Sequence, residues 1–296
     1  MTLTELRYLV TLAEQRHFAK AAAVCCVSQP TLSIAIKKLE DELGLTLFER
    51  HRHELLVTPA GERLIAQAQV VLNETEHLKQ LAQAELDEFA QPLRLGAIFT
   101  VAPYVFPTLI PALHQSAPSL LLYLEENYTH MLADKLATGA LDVILVAAPF
   151  DQPETQCQPL FSEDFVLLLP HSHDWTTRVR PIPRRALAHA PMLMLGEGHC
   201  FRDQSLAACP MSSPKLNNGN SLETLRFMVA NGLGLTLIPA ISAPYLLNDS
   251  LRIKTLQPPP TRQIMAVWRR RFPRPQAIRA LLQSLQHLNL AGSRPA

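Results

Sequence analysis

The sequence predicts an α/β protein with a small helical unit at its N-terminus, one long helix, and a larger C-terminal region. Three observations predict this order. Apolar residues recur at helical spacing through the first helices, a continuous helical seam follows Pro59, and short apolar strands alternate with helical stretches from residue 93 onward. A chain of 296 residues is long enough for two or three compact units.

Composition narrows the class of protein. The 27 basic and 26 acidic residues leave a net charge of +1, so nucleic-acid binding must depend on where the charges lie. The N-terminus has no basic leader followed by an apolar run, and no stretch of about 18 apolar residues occurs, so we expect a cytoplasmic protein without a membrane partner. Five cysteines are too few for a secreted disulfide scaffold.

Three short helices and two strands are predicted over residues 1–58. The third helix has Ser28 as its N-cap, Pro30 in its first turn and Gly44 at its end. Its polar side chains recur every four residues opposite an apolar stripe, as in a recognition helix that meets base edges and phosphates. The residues predicted to contact DNA, including two arginines between the strands, are Gln29, Pro30, Thr31, Ser33, Lys37, Lys38, Arg50 and Arg52. A plain three-helix bundle with a solvated face gives the same pattern.

A resemblance favours the first interpretation. Residues 18–61, FAKAAAVCCVSQPTLSIAIKKLEDELGLTLFERHRHELLVTPAG, resemble the winged helix-turn-helix of LysR-type transcriptional regulators, including the signature SQPxLSxxIxxLExELGxxLFER. The resemblance implies that the partner is double-stranded promoter DNA. We interpret Cys25 and Cys26, at the end of the second helix, as small packing residues.

The segment 59–88 is predicted to be a linker helix that pairs two copies of the chain. Its apolar and small residues alternate at spacings of four and three, which gives a period near 3.5 residues; they are Leu64, Ala68, Val71, Thr75, Leu78 and Ala82. In the regulators that the chain resembles, this helix dimerises the DNA-binding arms. The resemblance therefore implies a homotetramer, a dimer of dimers held by the linker helix and the regulatory domains.

Residues 89–296 are predicted to form a mostly parallel sheet covered by helices on both faces. This region resembles the two-lobed, periplasmic-binding-protein-like regulatory domain of the same family. The resemblance implies that the chain crosses between the lobes twice, near 161–164 and near 264–268. The expected first lobe contains about 89–162 and 268–296, and the expected second lobe contains about 163–267.

Cys200 has the sequence neighbours of a reactive thiol. His199 precedes it, Arg202 follows it, and residues 201–208 predict a short helix whose first amides face the sulfur; these features favour the thiolate. Asp203 is a candidate to hold Arg202 or to relay a proton. Cys209 lies among small apolar residues without such neighbours.

Helix geometry implies that a disulfide between Cys200 and Cys209 would require a local rearrangement. A helix over the intervening residues separates their Cα atoms by about 13 Å, whereas a disulfide needs about 7 Å or less. Bonding would therefore have to unwind the helix. Two other interpretations remain open, namely two unrelated thiols, and a zinc site made of His199, Cys200 and Cys209 without the close spacing that zinc sites usually have.

Residues 195–210, LGEGHCFRDQSLAACP, resemble the redox loop of the peroxide-sensing members of the family. The resemblance implies that hydrogen peroxide converts Cys200 to a sulfenic acid, which then forms a disulfide with Cys209. It further implies no cofactor and no metal, with RNA polymerase and a glutaredoxin or thioredoxin system as partners. The residues that it implies for peroxide binding are Thr100, Thr129, His199, Asp203 and Arg269.

Each of these assignments has a plainer interpretation. Thr100 and Thr129 are both placed to cap a helix, and Arg269 begins a surface-like basic run. For the whole chain, the alternatives are a LysR-type regulator that binds a small organic effector in the cleft between the lobes, and a thiol peroxidase. The helix-turn-helix and the lack of a thioredoxin-like C-x-x-C sequence argue against an enzyme.

Overall fold

The structure is a computed structural model that describes residues 1–50, 55–84, 87–208 and 218–295. The chain divides into two compact units, Met1–Ala82 and Gln83–Ala296.

The first unit is a three-helix bundle with a short β-hairpin and the start of a long helix. Helix α3 begins after Ser28, whose side chain accepts a hydrogen bond from the Thr31 amide, and ends at Gly44 in the left-handed conformation (φ +68°), as its sequence predicts. The elements are α1 (Leu3–Gln15), α2 (Phe18–Val24), α3 (Gln29–Leu43), β1 (Phe48–Arg50), β2 (Leu55–Val57) and α4 (Pro59–Ala84).

One apolar core holds these helices together. Leu9 of α1 and Leu32 and Ile36 of α3 are almost completely buried within it. Burial of such side chains contributes about 1.5–3 kcal/mol each, and it fixes which face of α3 remains outside. The helix-turn-helix order predicted from the sequence is confirmed.

The second unit contains strands and helices in alternation, with three short 3₁₀ turns at Asp174–Thr177, Arg184–His189 and Ala240–Ser242. Its first half contains β3 (Leu93–Ile98), α5 (Ala102–Ser116), β4 (Leu122–Asn127), α6 (Thr129–Ala137), β5 (Val143–Ala147), β6 (Thr155–Pro170), β7 (Ile182–Pro183) and β8 (Met192–Leu195). Its second half contains α7 (Cys200–Ala208), β9 (Asn218–Gly219), α8 (Leu222–Ala230), β10 (Leu235–Pro239), α9 (Ala243–Leu246), β11 (Leu251–Gln257), β12 (Thr261–Arg269), α10 (Pro275–Gln286) and β13 (Ser293–Pro295).

The sheet of this unit has mixed strand directions, so the expectation of a mostly parallel sheet was wrong. Strand β3 is parallel to β4 and β5, and β8 is parallel to β10 and β9. Strands β6 and β12, however, run antiparallel to each other and to their other neighbours. These two strands carry the chain from one lobe to the other and back, so they must run in opposite directions.

The pairing of β6 and β12 locates the two crossings. Strand β6 pairs with β12 as far as Asp164 and with β10 from Phe165 onward, so the first crossing lies beside the expected one. The return crossing lies earlier than expected. Residues 264–268 already pair with β5 of the first lobe, and β12 begins at Thr261. Apolar alternation marks a strand in the sequence but does not say which strand it pairs with.

Within the described parts of the chain, no single helix is long and apolar enough to cross a membrane. Only α2 and α3 taken together, bent by 102° at their connection, meet such a test of length and composition.

Candidate functional site

Two parallel strands bring the predicted peroxide-binding residues of the first lobe together. In the register of β3 and β4, Ile98 lies opposite Asn127. The residues that follow, Thr100 and Thr129, therefore emerge at the same edge of the sheet, where the carboxyl ends of parallel strands form ligand sites. Helix α7 begins at this edge with Cys200.

A small cavity lies among these elements. The space open to the centre of a water-sized molecule is about 10 Å³, close to the minimum needed to hold one water. Its walls are Ile98, Phe99, Thr100, Asn127, Tyr128, Thr129, Gly198, His199, Cys200 and Phe201.

Thr100 is positioned by a buried arginine that the sequence analysis missed. Arg262 Nη1 donates a hydrogen bond to Thr100 Oγ1 (2.9 Å), and Arg262 Nη2 donates to the Thr100 carbonyl oxygen (3.1 Å). The hydroxyl of Thr100 accepts this bond, so its own proton remains for another acceptor. The guanidinium also lies 5.1 Å from the centre of the Phe201 ring. The sequence contained one signal for this role, namely that Arg262 is a charged residue at the start of the predicted strand RQIMAVWR (262–269).

Neither threonine caps a helix, so the plainer interpretation of both was wrong. Helix α5 has Val101 as its N-cap, and α6 has Tyr128 as its N-cap; neither cap makes a side-chain hydrogen bond. Thr129 Oγ1 is buried and has no hydrogen-bond partner among the described residues. A buried hydroxyl without a partner costs about 1–3 kcal/mol, and a ligand in the cavity would remove that cost.

His199 presents a second buried polar atom to this region. Its side chain is only 5% exposed, and its Nε2 has no partner within the described residues. Burial lowers the pKa of His199 from its ordinary value of 6.5, and a hydrogen bond to the backbone of Asn220 opposes this shift. The imidazole is therefore neutral at neutral pH.

The lowered pKa of His199 predicts a stability that falls in acid. Because the folded state binds the proton less readily than the unfolded chain, the His199 contribution is fully present above about pH 6.5 and is lost as the pH falls below it toward the folded-state pKa. When the pH is lowered from about 7.5 to about 5.5, we expect the Tm of His199→Asn to fall less than the Tm of the wild type. Thermal unfolding of both proteins at the two pH values measures this. An equal decrease in both would contradict the prediction.

Cys200 is half-buried and is the first residue of α7, where the helix dipole favours a negative charge. The charged neighbours differ from expectation. Arg202 Nη1 lies 3.5 Å from Glu197 Oε1, so Arg202 pairs with Glu197 and not with Asp203. The Asp203 side chain is exposed and does not line the cavity, because it lies on the outward face of the first turn of α7.

Arg269 does not line the cavity, contrary to the placement that the resemblance implies. Its Nη1 donates to the carbonyl oxygens of Leu136 (2.8 Å) and Leu141 (2.6 Å), and its Nη2 lies 3.7 Å from Asp142 Oδ1. Arg262 and Arg269 lie on the same strand, about 23 Å apart at about 3.3 Å per residue. The structure therefore places Arg262 at the site.

Helix α7 separates the two cysteines of the redox loop. It spans Cys200–Ala208, so the Cα atoms of its end residues lie about 12 Å apart. Cys209 is outside the described residues. A disulfide needs Cα atoms within about 7 Å of each other, which is less than the length of α7.

Both parts of the chain match known families. Residues 3–62 match the model described as bacterial regulatory helix-turn-helix protein, lysR family, and residues 86–289 match the LysR substrate binding domain. The chain belongs to the LysR family. Like the two matched LysR domains, the chain consists of a DNA-binding unit followed by a regulatory unit. The fold class predicted from the sequence is confirmed.

Regulators named OxyR are among the relatives of this chain. The DNA-binding transcriptional dual regulator OxyR of Escherichia coli is 42% identical over 274 residues, which cover 91% of this chain and 90% of the relative. Full-length OxyR from Pseudomonas aeruginosa has a similar structure, with a TM-score of 0.76 and 47% identity over 98% of this chain and 99% of that one. Hydrogen-peroxide-bound OxyR from Corynebacterium glutamicum gives a TM-score of 0.64 at 32% identity, over 96% and 91% of the two chains.

The predicted DNA contacts of the LysR helix-turn-helix lie on the outer side of α3. Gln29, Pro30, Thr31, Lys37 and Lys38 are exposed, and Ser33 is half-buried. Lys38 differs from expectation because its Nζ is 3.0 Å from Glu5 Oε1, so binding phosphate would require it to share or leave this partner. Arg52 and the side chain of Arg50 lie outside the described residues.

No group of three or more His, Cys, Asp or Glu side chains suited to a metal occurs among the residues that the structure describes. The third ligand in the zinc interpretation, Cys209, is not among them.

Proposed function

We propose that this LysR-family protein is a DNA-binding transcriptional regulator that responds to hydrogen peroxide through a reversible disulfide between Cys200 and Cys209. One observation carries the proposal. Cys200 shares a cavity of about water size with two threonines and a neutral histidine, and Thr129 Oγ1 and His199 Nε2 are buried there without partners among the residues that the structure describes. Hydrogen peroxide is the smallest peroxide and can both donate and accept hydrogen bonds. A relative named hydrogen peroxide-inducible genes activator and a hydrogen-peroxide-bound OxyR structure support the same assignment.

In the first step, the Cys200 thiolate attacks one oxygen of hydrogen peroxide. An S–O bond forms, the O–O bond breaks, and the second oxygen leaves as hydroxide, which takes a proton to become water; the product is Cys200 sulfenic acid. Thr129 Oγ1 and the Thr100 hydroxyl, whose oxygen already accepts from Arg262, can donate hydrogen bonds to the peroxide oxygens. Groups fixed in this way stabilise the charge that develops on the departing oxygen.

In the second step, the Cys209 thiol attacks the Cys200 sulfur and expels the sulfenic oxygen as water. Helix α7 must unwind first, because its length keeps the two residues apart. Arg184 Nη1 donates a hydrogen bond to the Ala208 carbonyl oxygen (2.9 Å) at the end of α7, and unwinding breaks this contact. A thiol reductant of the glutaredoxin or thioredoxin type returns two electrons and resets both thiols.

The output is a change in how the protein lies on promoter DNA. Refolding of the segment around α7 is a two-state event biased by a covalent bond. We propose that it alters contacts in a cytoplasmic homotetramer, a dimer of dimers, and thereby the spacing of its recognition helices and the recruitment of RNA polymerase. The DNA footprint then changes while DNA binding itself persists.

The two alternative functions, binding of an organic effector and thiol peroxidase activity, agree less well with these observations. An organic effector would not fit the water-sized cavity beside Cys200, and a larger cavity of about 370 Å³ between β6 and the end of α10 does not contain Cys200. A thiol peroxidase would consume many equivalents of peroxide with a reductant, whereas a sensor consumes about one for each activation event. The helix-turn-helix unit belongs to regulators and not to peroxidases.

A disulfide map tests the proposal. The reduced full-length protein is treated with about one equivalent of hydrogen peroxide, and its peptides are identified by mass spectrometry. We expect a Cys200–Cys209 disulfide in the wild type and Cys200 sulfenic acid in Cys209→Ser, because the variant has no resolving thiol. If both thiols remain reduced in a protein that still binds DNA, the peroxide mechanism is wrong.

A further inference from the structure

The cavity beside Cys200 has a buried inner wall and a partly exposed outer wall. Thr100 and Phe201 are only 3% and 2% exposed, so no oxidant can approach through them. Phe99, Asn127, Tyr128 and Thr129 are half-buried, as is Cys200 itself, and Gly198 is exposed. An oxidant from solvent must therefore pass the outer residues, of which Phe99 and Tyr128 have by far the largest side chains.

These two aromatic rings contact each other and cover the site. The ring centres of Phe99 and Tyr128 are 5.2 Å apart in an edge-to-face arrangement, which is a favourable aromatic contact. Both rings also contact the imidazole of His199, with centres 5.6 Å and 4.9 Å away. The three rings thus form one cluster at the entrance, and one of them, His199, directly precedes Cys200 in the sequence.

The backbone beneath Tyr128 leaves its ring little freedom to move inward. Gly198 has a φ of +91°, and a Cβ atom placed on it would lie 3.2 Å from the Tyr128 ring. The backbone of the loop before α7 therefore approaches the ring closely. The Tyr128 ring also stacks on His130, with ring centres 5.8 Å apart.

We propose that Phe99 and Tyr128 form a gate that admits hydrogen peroxide to Cys200 and excludes organic hydroperoxides. This inference rests on the proposed function and assigns its substrate selectivity to two residues. An organic hydroperoxide oxidises a thiolate by the same chemistry, giving a sulfenic acid and an alcohol in place of water. Its alkyl group is bonded to the departing oxygen, however, and the cavity has space for only about one water-sized molecule. The alkyl group would have to displace the aromatic rings.

The gate is tested by comparing two oxidants on the full-length protein in the Cys209→Ser background. The second-order rate constants for Cys200 oxidation by hydrogen peroxide and by tert-butyl hydroperoxide are measured by mass spectrometry of the sulfenic acid. We expect the wild-type gate to prefer hydrogen peroxide, and Tyr128→Ala and Phe99→Ala each to reduce this preference by about tenfold or more, the scale on which pockets discriminate by size.

Two controls separate a gate from a general disturbance of the site. Tyr128→Phe keeps the ring and should retain the wild-type preference. Tyr123→Ala removes an exposed tyrosine of β4 that does not line the cavity, and it should change nothing. A variant that merely disturbs the fold slows both oxidants alike and leaves their ratio unchanged.

Three results would overturn the inference. The first is a wild-type protein that reacts equally fast with both oxidants, and the second is a ratio that neither alanine variant changes. The third is loss of the preference in Tyr128→Phe. If hydrogen peroxide does not oxidise Cys200 in the wild type at all, the proposed function itself fails, and this outcome is distinct from the first two because those require oxidation by hydrogen peroxide.

Discussion

Replacing Cys200 by serine is expected to abolish the response of the DNA footprint to hydrogen peroxide. Serine is close in size to cysteine but its hydroxyl is not a nucleophile toward peroxide at neutral pH, so neither the sulfenic acid nor the disulfide can form. Because the side chain is only half-buried, we expect the loss of stability to stay within about 1–2 kcal/mol and DNA binding to persist. Footprinting of reduced and peroxide-treated protein on the same DNA measures the effect.

The matched control is Cys157→Ser. Cys157 is an exposed cysteine on β6, and its replacement should leave the peroxide-dependent footprint intact. A response that survives in Cys200→Ser but disappears in Cys157→Ser would move the sensor to the other thiol and would contradict the proposed function.

The second large effect is expected for Glu163→Gln, through stability. Glu163 and Arg262 form a fully buried ion pair, in which Arg262 Nε and Nη2 lie 2.9 Å and 2.8 Å from Glu163 Oε1. The second carboxylate oxygen accepts a hydrogen bond from the Ile241 amide (3.0 Å). Glutamine keeps the shape but leaves the arginine charge buried without a counterion, which costs about 3–5 kcal/mol. We expect Tm to fall by on the order of 10 °C.

The neighbouring pair provides a control. Arg294 Nη2 lies 2.6 Å from Asp164 Oδ1, and the Arg294 side chain is 56% exposed. Arg294→Gln should cost no more than about 1 kcal/mol, as is usual for exposed ion pairs. Calorimetry of the two variants at the same pH compares them. Equal and small decreases would show that the buried pair is not as isolated from solvent as its burial indicates.

Local features of the chain were predictable because they depend on near neighbours. The caps of α3 at Ser28 and Gly44 follow from residue type, and the helix after His199 was expected over almost the range that the structure gives it. The signature of the helix-turn-helix lies within one continuous stretch. Each of these predictions required only the conformational preferences of a few adjacent residues.

The composition of the site was less predictable because sheet register decides it. Phe99 and Tyr128 are 29 positions apart and meet because β3 and β4 pair in parallel with Ile98 opposite Asn127. The pattern of one strand shows which of its residues share a face, but it does not show which residue of a strand elsewhere in the chain lies opposite each of them. The same limit explains the choice of Arg269 in place of Arg262. Both flank the apolar part of β12, and only its pairing with β6 shows which end lies beside Thr100.

The intact helix α7 has a consequence for the range of doses that the sensor can report. In the mechanism that we propose, a sulfenic acid formed at Cys200 waits until the helix opens, and during that interval a second peroxide can oxidise it to the irreversible sulfinic acid. Disulfide formation proceeds at a rate set by the opening of the helix, whereas oxidation to the sulfinic acid becomes faster in proportion to the peroxide concentration. The stability of nine residues of helix therefore fixes the concentration above which exposure to oxidant destroys the sensor instead of switching it.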